Sequence, residues 1–273
     1  MLRMESENGW WLITHPDHAR LAGAFAAAWG NAQFRKPEPR ARVLKGIACH
    51  DDGWAQRDAH PCITREGKPS AFSTELVGKY SAFEEIDLKD YLAVRERAVR
   101  IIAETDAYAG LLISMHTYNL LTEHADRSTI KPEDLVLLDR FLEHQFEYHA
   151  QLRATIAADA SLASHEKADN TILEHFRLLQ ACDNLSLLSC VAFASPAHLL
   201  HRLPLNDGST AEVKVLPTAP RRFQLTPWPF EKCELTFHFP ARHVAGKTFG
   251  SAADLVAAFS AAAETQLDVT LAQ

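Results

Sequence analysis

The chain has 273 residues, 47% hydrophobic and 23% charged, the balance of a soluble globular protein rather than a disordered or fibrous one. A formal charge of -7 with no Lys/Arg-rich block excludes the basic footprint that nucleic-acid binding needs. Five cysteines without a CxxC pair exclude a disulfide framework and fit a reducing compartment.

The opening MLRMESENGWWLI lacks the continuous apolar stretch of a secretory signal. The longest apolar run, LSLLSCVAFA, is too short to cross a bilayer. A cytoplasmic protein with no membrane or nucleic-acid partner is the expectation, and the oligomeric state is left open.

From about Thr14 to Leu200 apolar residues recur at three- and four-residue intervals, which predicts helices. Thr14-His15-Pro16-Asp17 reads as a capped start for a helix running to Gly30. PEPRARVLKGIACHDDGW reads as a second helix ending near Gly53. A looser connection with Pro61, Gly67 and Pro69 follows, and then four long helical segments beginning near Asp87, Ala109, Pro132 and Asn170. After Pro204 the texture turns β-prone in AEVKVLP, RRFQLTPWP and CELTFHFPAR, with one further helix, SAADLVAAFSAAAE, and a final strand, LDVTLA. The predicted architecture is therefore mainly α: a helical domain over 1–203 with a β-rich extension over 204–273 packed on it.

Polar residues fall on the apolar faces of these helices. His18 lies in one stripe with Leu21, Ala22 and Phe25. If the second helix runs on to Gly53, His50 and Asp51 share a face with Val43, Leu44 and Ile47. His116 is four residues from both Leu112 and Leu120. Asp183 is flanked at helical intervals by Phe176, Leu179, Leu187 and Cys190. A carboxylate on such a face needs a partner, because an uncompensated buried charge costs several kcal/mol. Arg177 is one candidate partner for Asp183. The other is a metal ion shared with His18, His50 and Asp51, since imidazole and carboxylate are the usual ligands of zinc, iron or manganese.

The order of His18, then His50-Asp51, then Asp183 in QACDNLS resembles the signature of the HD-domain superfamily of metal-dependent phosphohydrolases. Over its whole length the chain, through WWLITHPDHARLA, ACHDDGW and TPWPF, also resembles an uncharacterised family of unknown function. The HD resemblance implies an HD-like helical bundle over the helical part, with one or two divalent ions and catalytic roles for Asp51 and His116. It further implies that His116, His144 or His149 serves a second metal or the substrate, in a two-metal site bridged by Asp51. Arg57 and Lys79 are candidate clamps for a substrate phosphate, and Asp52 and Asp58 candidate supports for the ligand histidines. Trp54 and Trp228-Pro229-Phe230 are candidate pocket walls.

The leading expectation is a hydrolase of a small phosphate mono- or diester through a metal-activated water. A di-iron oxygenase of HD-like fold, or a non-enzymatic ligand-binding or interaction protein, is the alternative.

Overall fold

The computed structural model describes residues 1–79, 83 and 87–273. The chain opens on a hairpin of β1 (Leu2–Ser6) and β2 (Gly9–Ile13), Ser6 facing Gly9 across a two-residue turn. Thr14 then caps α1 (His15–Ala28), its hydroxyl accepting from the Asp17 amide, with Pro16 in the first turn. Next come α2 (Arg40–Ala48), a 3₁₀ turn (Asp52–Trp54) and the short α3 (Ala55–Asp58).

Four long helices complete the helical layer. They are α4 (Leu88–Ala103), capped by Asp87, and α5 (Ala107–Glu123), capped by Asp106, followed by α6 (Pro132–Ala158) and α7 (Asp169–Cys190). After them run β3 (Ala197–His198), β4 (Leu203–Pro204), β5 (Thr210–Ala211), β6 (Lys214–Ala219), β7 (Arg222–Thr226), β8 (Glu234–Ala245), α8 (Ala252–Ala261) and β9 (Glu264–Ala272).

Seven strands form one curled sheet in the order β1-β2-β8-β9-β7-β6-β3, with β4 and β5 paired separately. Among these strands of the described residues, only β7 and β9 pair in parallel; β2 joins β8 antiparallel, with Gly9 opposite Ala245 and Leu12 opposite Arg242. The sheet thus draws strands from both ends of the sequence. Its inner face carries Phe223, Phe239, Val269 and Leu271, buried in one core with Leu21 and Phe25 of α1 and Leu185 and Leu188 of α7. The Phe25 and Phe237 rings meet edge to face, 4.8 Å apart.

This architecture overturns the expectation of a mainly α, HD-like helical bundle. The described residues are 48% helical and 21% strand, and the helices back a large sheet, so the fold is α+β. Two causes underlie the correction. The N-terminal hairpin was not anticipated, because the contiguous apolar residues of GWWLI mask the alternation that marks a strand. The sheet also depends on pairing β2 with β8, a contact more than 200 residues apart that no local pattern encodes.

Two close approaches bring the helices together. A β-carbon at Gly23 would lie 2.6 Å from the Ala48 β-carbon, so glycine there lets the end of α2 rest on α1. A β-carbon at Gly53 would lie 2.2 Å from the Val94 carbonyl oxygen and 2.8 Å from the Ala98 nitrogen. Both clashing atoms at Gly53 belong to the backbone of α4 and cannot rotate away. Gly53→Ala is expected to destabilise the protein by at least about 2 kcal/mol, read from urea denaturation. A change under about 0.5 kcal/mol would show that the two segments separate freely.

Candidate metal centre

Five side chains from four segments converge between the helices. His18 comes from the first turns of α1, His116 from the middle of α5 and Asp183 from the middle of α7. His50 and Asp51 come from just beyond α2, which stops at Ala48 rather than near Gly53. Cys49 caps that helix, and the chain turns so that both residues enter the interior from a loop. All five are buried.

The spacing is that of a ligand set. His18 Nε2 is 3.1 Å from Asp51 Oδ2, and His50 Nε2 is 3.3 Å from Asp183 Oδ1 and 3.8 Å from Asp51 Oδ2. His116 Nε2 is 3.8 Å from Asp183 Oδ2, and His18 Nδ1 is 3.7 Å from Asp183 Oδ1. Ligands about 2.0–2.1 Å from a zinc ion in a tetrahedron stand roughly 3.4 Å apart, within this range. Donor atoms of His18, His50 and Asp51 lie within 4.8 Å of one another, as do those of His50, His116 and Asp183.

Hydrogen-bond accounting fixes which nitrogens face the centre. His50 Nδ1 lies 2.7 Å from the Ile47 carbonyl oxygen, which can only accept, so Nδ1 carries the hydrogen. His50 Nε2 is buried, and no hydrogen-bond geometry satisfies it. The Ser186 hydroxyl donates to the Asp183 carbonyl oxygen at 2.8 Å, so it accepts from His18 Nδ1 at 2.9 Å. Both histidines therefore turn Nε2 toward carboxylates. Only a proton or a cation between them reconciles that arrangement.

Arg95, on the buried face of α4, completes the site. Its Nη1 donates to Asp51 Oδ1 at 2.6 Å and its Nε to the Tyr91 hydroxyl at 3.2 Å. The guanidinium carbon also lies 5.3 Å from the Trp54 ring centroid and 5.2 Å from that of Tyr91. Arg95 was not singled out from the sequence, although the inward-face test finds it. Tyr91, Leu92, Ala98, Val99 and Ile102 share its face, and the neighbouring Arg97 and Arg100 disguise it as one of a charged run. Ser186, one turn beyond Asp183, was missed in the same way.

Charges and burial set the protonation states. Burial opposes ionisation of Asp51, but the charges of Arg95 and His50 hold its carboxyl well below the usual range. Burial likewise opposes ionisation of Asp183, yet the neighbouring histidines bring it down to about 2. For His50, burial is outweighed by the negative charges of Asp51 and Asp183, which push its pKa up to about 9. Burial prevails at His116 and brings it down to about 3, so its ring is neutral. The buried thiol of Cys182 is pushed up, which leaves no reactive thiolate beside Asp183.

The remaining sequence candidates stand apart from the cluster. His144 is 47% exposed and 4.0 Å from Glu96. His149 packs on the Tyr118 ring, and Lys79 is exposed. Arg57 lies over the outer part of Trp54, 5.9 Å from its centroid. Asp52 pairs with Arg20 at the surface, and Asp58 holds His15 at 3.0 Å and the Met1 amino group at 2.8 Å rather than a cluster histidine. Trp54 stacks on His15 at 4.3 Å and carries Arg95 over its ring, whereas Trp228 and Phe230 pack in the main core. Arg177 is not the partner of Asp183; the histidines are.

Fold and site together define an α+β protein with buried histidine and aspartate groups that could hold a metal ion. The family model described as "Protein of unknown function (DUF3891)" matches residues 1–246, and the chain belongs to that family. The matched segment includes all five cluster residues and Arg95. Searches of curated proteins and of solved structures gave no match. No helix among the described residues is long and apolar enough to cross a membrane.

The raised His50 pKa sets a pH dependence for the protein kept metal-free with chelator. Since the folded value of about 9 lies above the ordinary 6.5, the stabilisation is complete below about pH 6.5 and lost as pH rises through 9. Urea denaturation between pH 6.5 and 9.5 is expected to show a fall on the order of 2–3 kcal/mol, absent in His50→Gln. A profile that is flat in the parent protein would mean that His50 is not protonated.

Proposed function

We propose that the protein is a metal-dependent hydrolase acting on a small phosphate mono- or diester. The observation that carries this reading is the locked pair of imidazoles. The Nδ1 atoms of His18 and His50 are committed to Ser186 and Ile47, and both Nε2 atoms face two buried carboxylates. A second support is the ordered set His18, His50-Asp51, Asp183, which resembles the ligand signature of the HD-domain phosphohydrolases.

In this reading one divalent ion is held by His50 together with His18 and Asp51 or with His116 and Asp183, the two groups whose donor atoms each lie within 4.8 Å of one another. Either set of two imidazoles and one carboxylate suits zinc, iron or manganese. The ion, when bound, supplies a Lewis acid for a phosphoryl oxygen and lowers the pKa of water for attack on phosphorus.

The protein groups account for the rest. Ile47 and Ser186 orient the two imidazoles, and Arg95 fixes the outer oxygen of Asp51, the kind of support whose loss costs 10- to 100-fold in affinity or activity. Neutral His116, whose Nδ1 is buried without a hydrogen-bond partner, offers a ring nitrogen. Asp183 is the most open of the five, its side chain 12% exposed against 5% or less for the others, so substrate approaches over α7 and α5.

Charge indicates the ligand class. With neutral imidazoles, Asp51, Asp183 and Arg95 leave the pocket at -1, and a divalent ion brings it to +1. A centre of that charge attracts an anion.

Elemental analysis of protein purified without chelator, beside His50→Ala and Asp183→Ala, tests the ligand set. Stoichiometric metal is expected in the parent, with at least a tenfold loss in each variant. p-Nitrophenyl phosphate and bis(p-nitrophenyl) phosphate test the chemistry, and both variants are expected to lose at least about 100-fold in rate. A metal-free parent defeats the whole reading. Metal without turnover of either ester leaves the ligand set standing and removes the phosphohydrolase.

A further inference from the structure

We infer that the centre is mononuclear and that the guanidinium of Arg95 takes the place a second cation would fill. This rests on the reading of the cluster as a metal site, and it departs from the two-metal arrangement bridged by Asp51 that the sequence resemblance implies.

Three observations converge on one ion. The two candidate ligand groups, His18-His50-Asp51 and His50-His116-Asp183, share His50. Its Nδ1 hydrogen is committed to the Ile47 carbonyl, so only the Nε2 lone pair remains, and that lone pair serves one ion.

Bridging through both oxygens is opposed at Asp51 as well. A carboxylate spans two ions by giving one oxygen to each, and Asp51 Oδ1 is already held by Arg95 Nη1 at 2.6 Å. That short charge-assisted contact lies among buried groups, with Tyr91 and Trp54 fixing the guanidinium from its other sides.

The third observation is charge. One divalent ion beside Asp51, Asp183 and Arg95 leaves the buried site at +1, whereas two would leave it at +3, and uncompensated buried charge is strongly disfavoured. Nor, among the described residues, does the structure bring up further ligands. His144 and His149 on α6, the residues offered for a second ion, lie outside the cluster.

Arg95 is therefore a positioning residue. It keeps Asp51 a one-oxygen ligand and places a permanent positive charge beside the ion. An arginine suits this place because its charge persists at any accessible pH and its planar fork holds two acceptors at once.

Titration of chelator-stripped protein with Mn²⁺, followed by equilibrium dialysis and electron paramagnetic resonance, distinguishes the cases. One tightly bound Mn²⁺ per chain with an uncoupled six-line spectrum is expected. Two equivalents with an exchange-coupled spectrum would overturn the inference while leaving the metal site intact. No bound Mn²⁺ would overturn the metal site itself, and this inference with it.

Arg95→Lys and Arg95→Glu test the residue. The lysine variant keeps a cation and is expected to stay at one equivalent. The glutamate variant puts a carboxylate where the guanidinium stood and is expected to take up a second, coupled Mn²⁺. A folded Arg95→Glu protein that still binds a single ion would remove Arg95 from the role. If that variant does not fold, the count in the parent protein still decides between one ion and two.

Discussion

The interaction on which this structure depends is the compensation of Asp51, a carboxylate buried where α1, α4, α5 and α7 meet. Water cannot solvate it, so its charge is met by Arg95 on one oxygen and by His18 and His50 on the other. Each compensating group comes from a different part of the chain, so holding this one charge fixes the mutual placement of three segments. Burying charge in this way contributes little to net stability and much to the uniqueness of the arrangement. The glycines at the helix crossings serve the same end, since Gly53 allows the loop carrying His50 and Asp51 to press on the backbone next to Arg95.

Two histidines differ in state because their surroundings differ, though both are fully buried. His50 sits between two carboxylates and is pushed toward its charged form. His116 faces only Asp183 at 3.8 Å, and burial keeps it neutral. Without an ion, one cluster therefore combines an imidazole that holds a proton with one that stays neutral, and an ion ligated by His50 would have to displace that proton.

Much of the centre was legible in the sequence because an inward-facing polar residue on a regular helix declares itself by spacing. His18, His116 and Asp183 were found this way. His50 and Asp51 are buried as the helical spacing predicts, but the helix ends at Ala48 and a turn, not the helix, delivers them. Arg95 was hidden among neighbouring arginines, since composition cannot tell which member of a charged run is buried. The fold was less legible. Strands β6 to β9 and α8 were recognisable from alternation and caps, but the hairpin of β1 and β2 was not. Neither was the sheet that joins it to β8, because strand pairing across the length of a chain leaves no local trace.

That pairing bears on how the molecule comes into being. Every cluster residue precedes position 184, so a chain emerging from the ribosome has them all before the sheet can close. Until β8 appears, β2 has no inner neighbour and the Phe25 face of α1 lacks the cover of Phe237. The helix bearing His18 thus gains its final support from the last third of the sequence. Completion of the cluster is accordingly a late event of assembly, after long-range closure whose loop entropy must first be overcome.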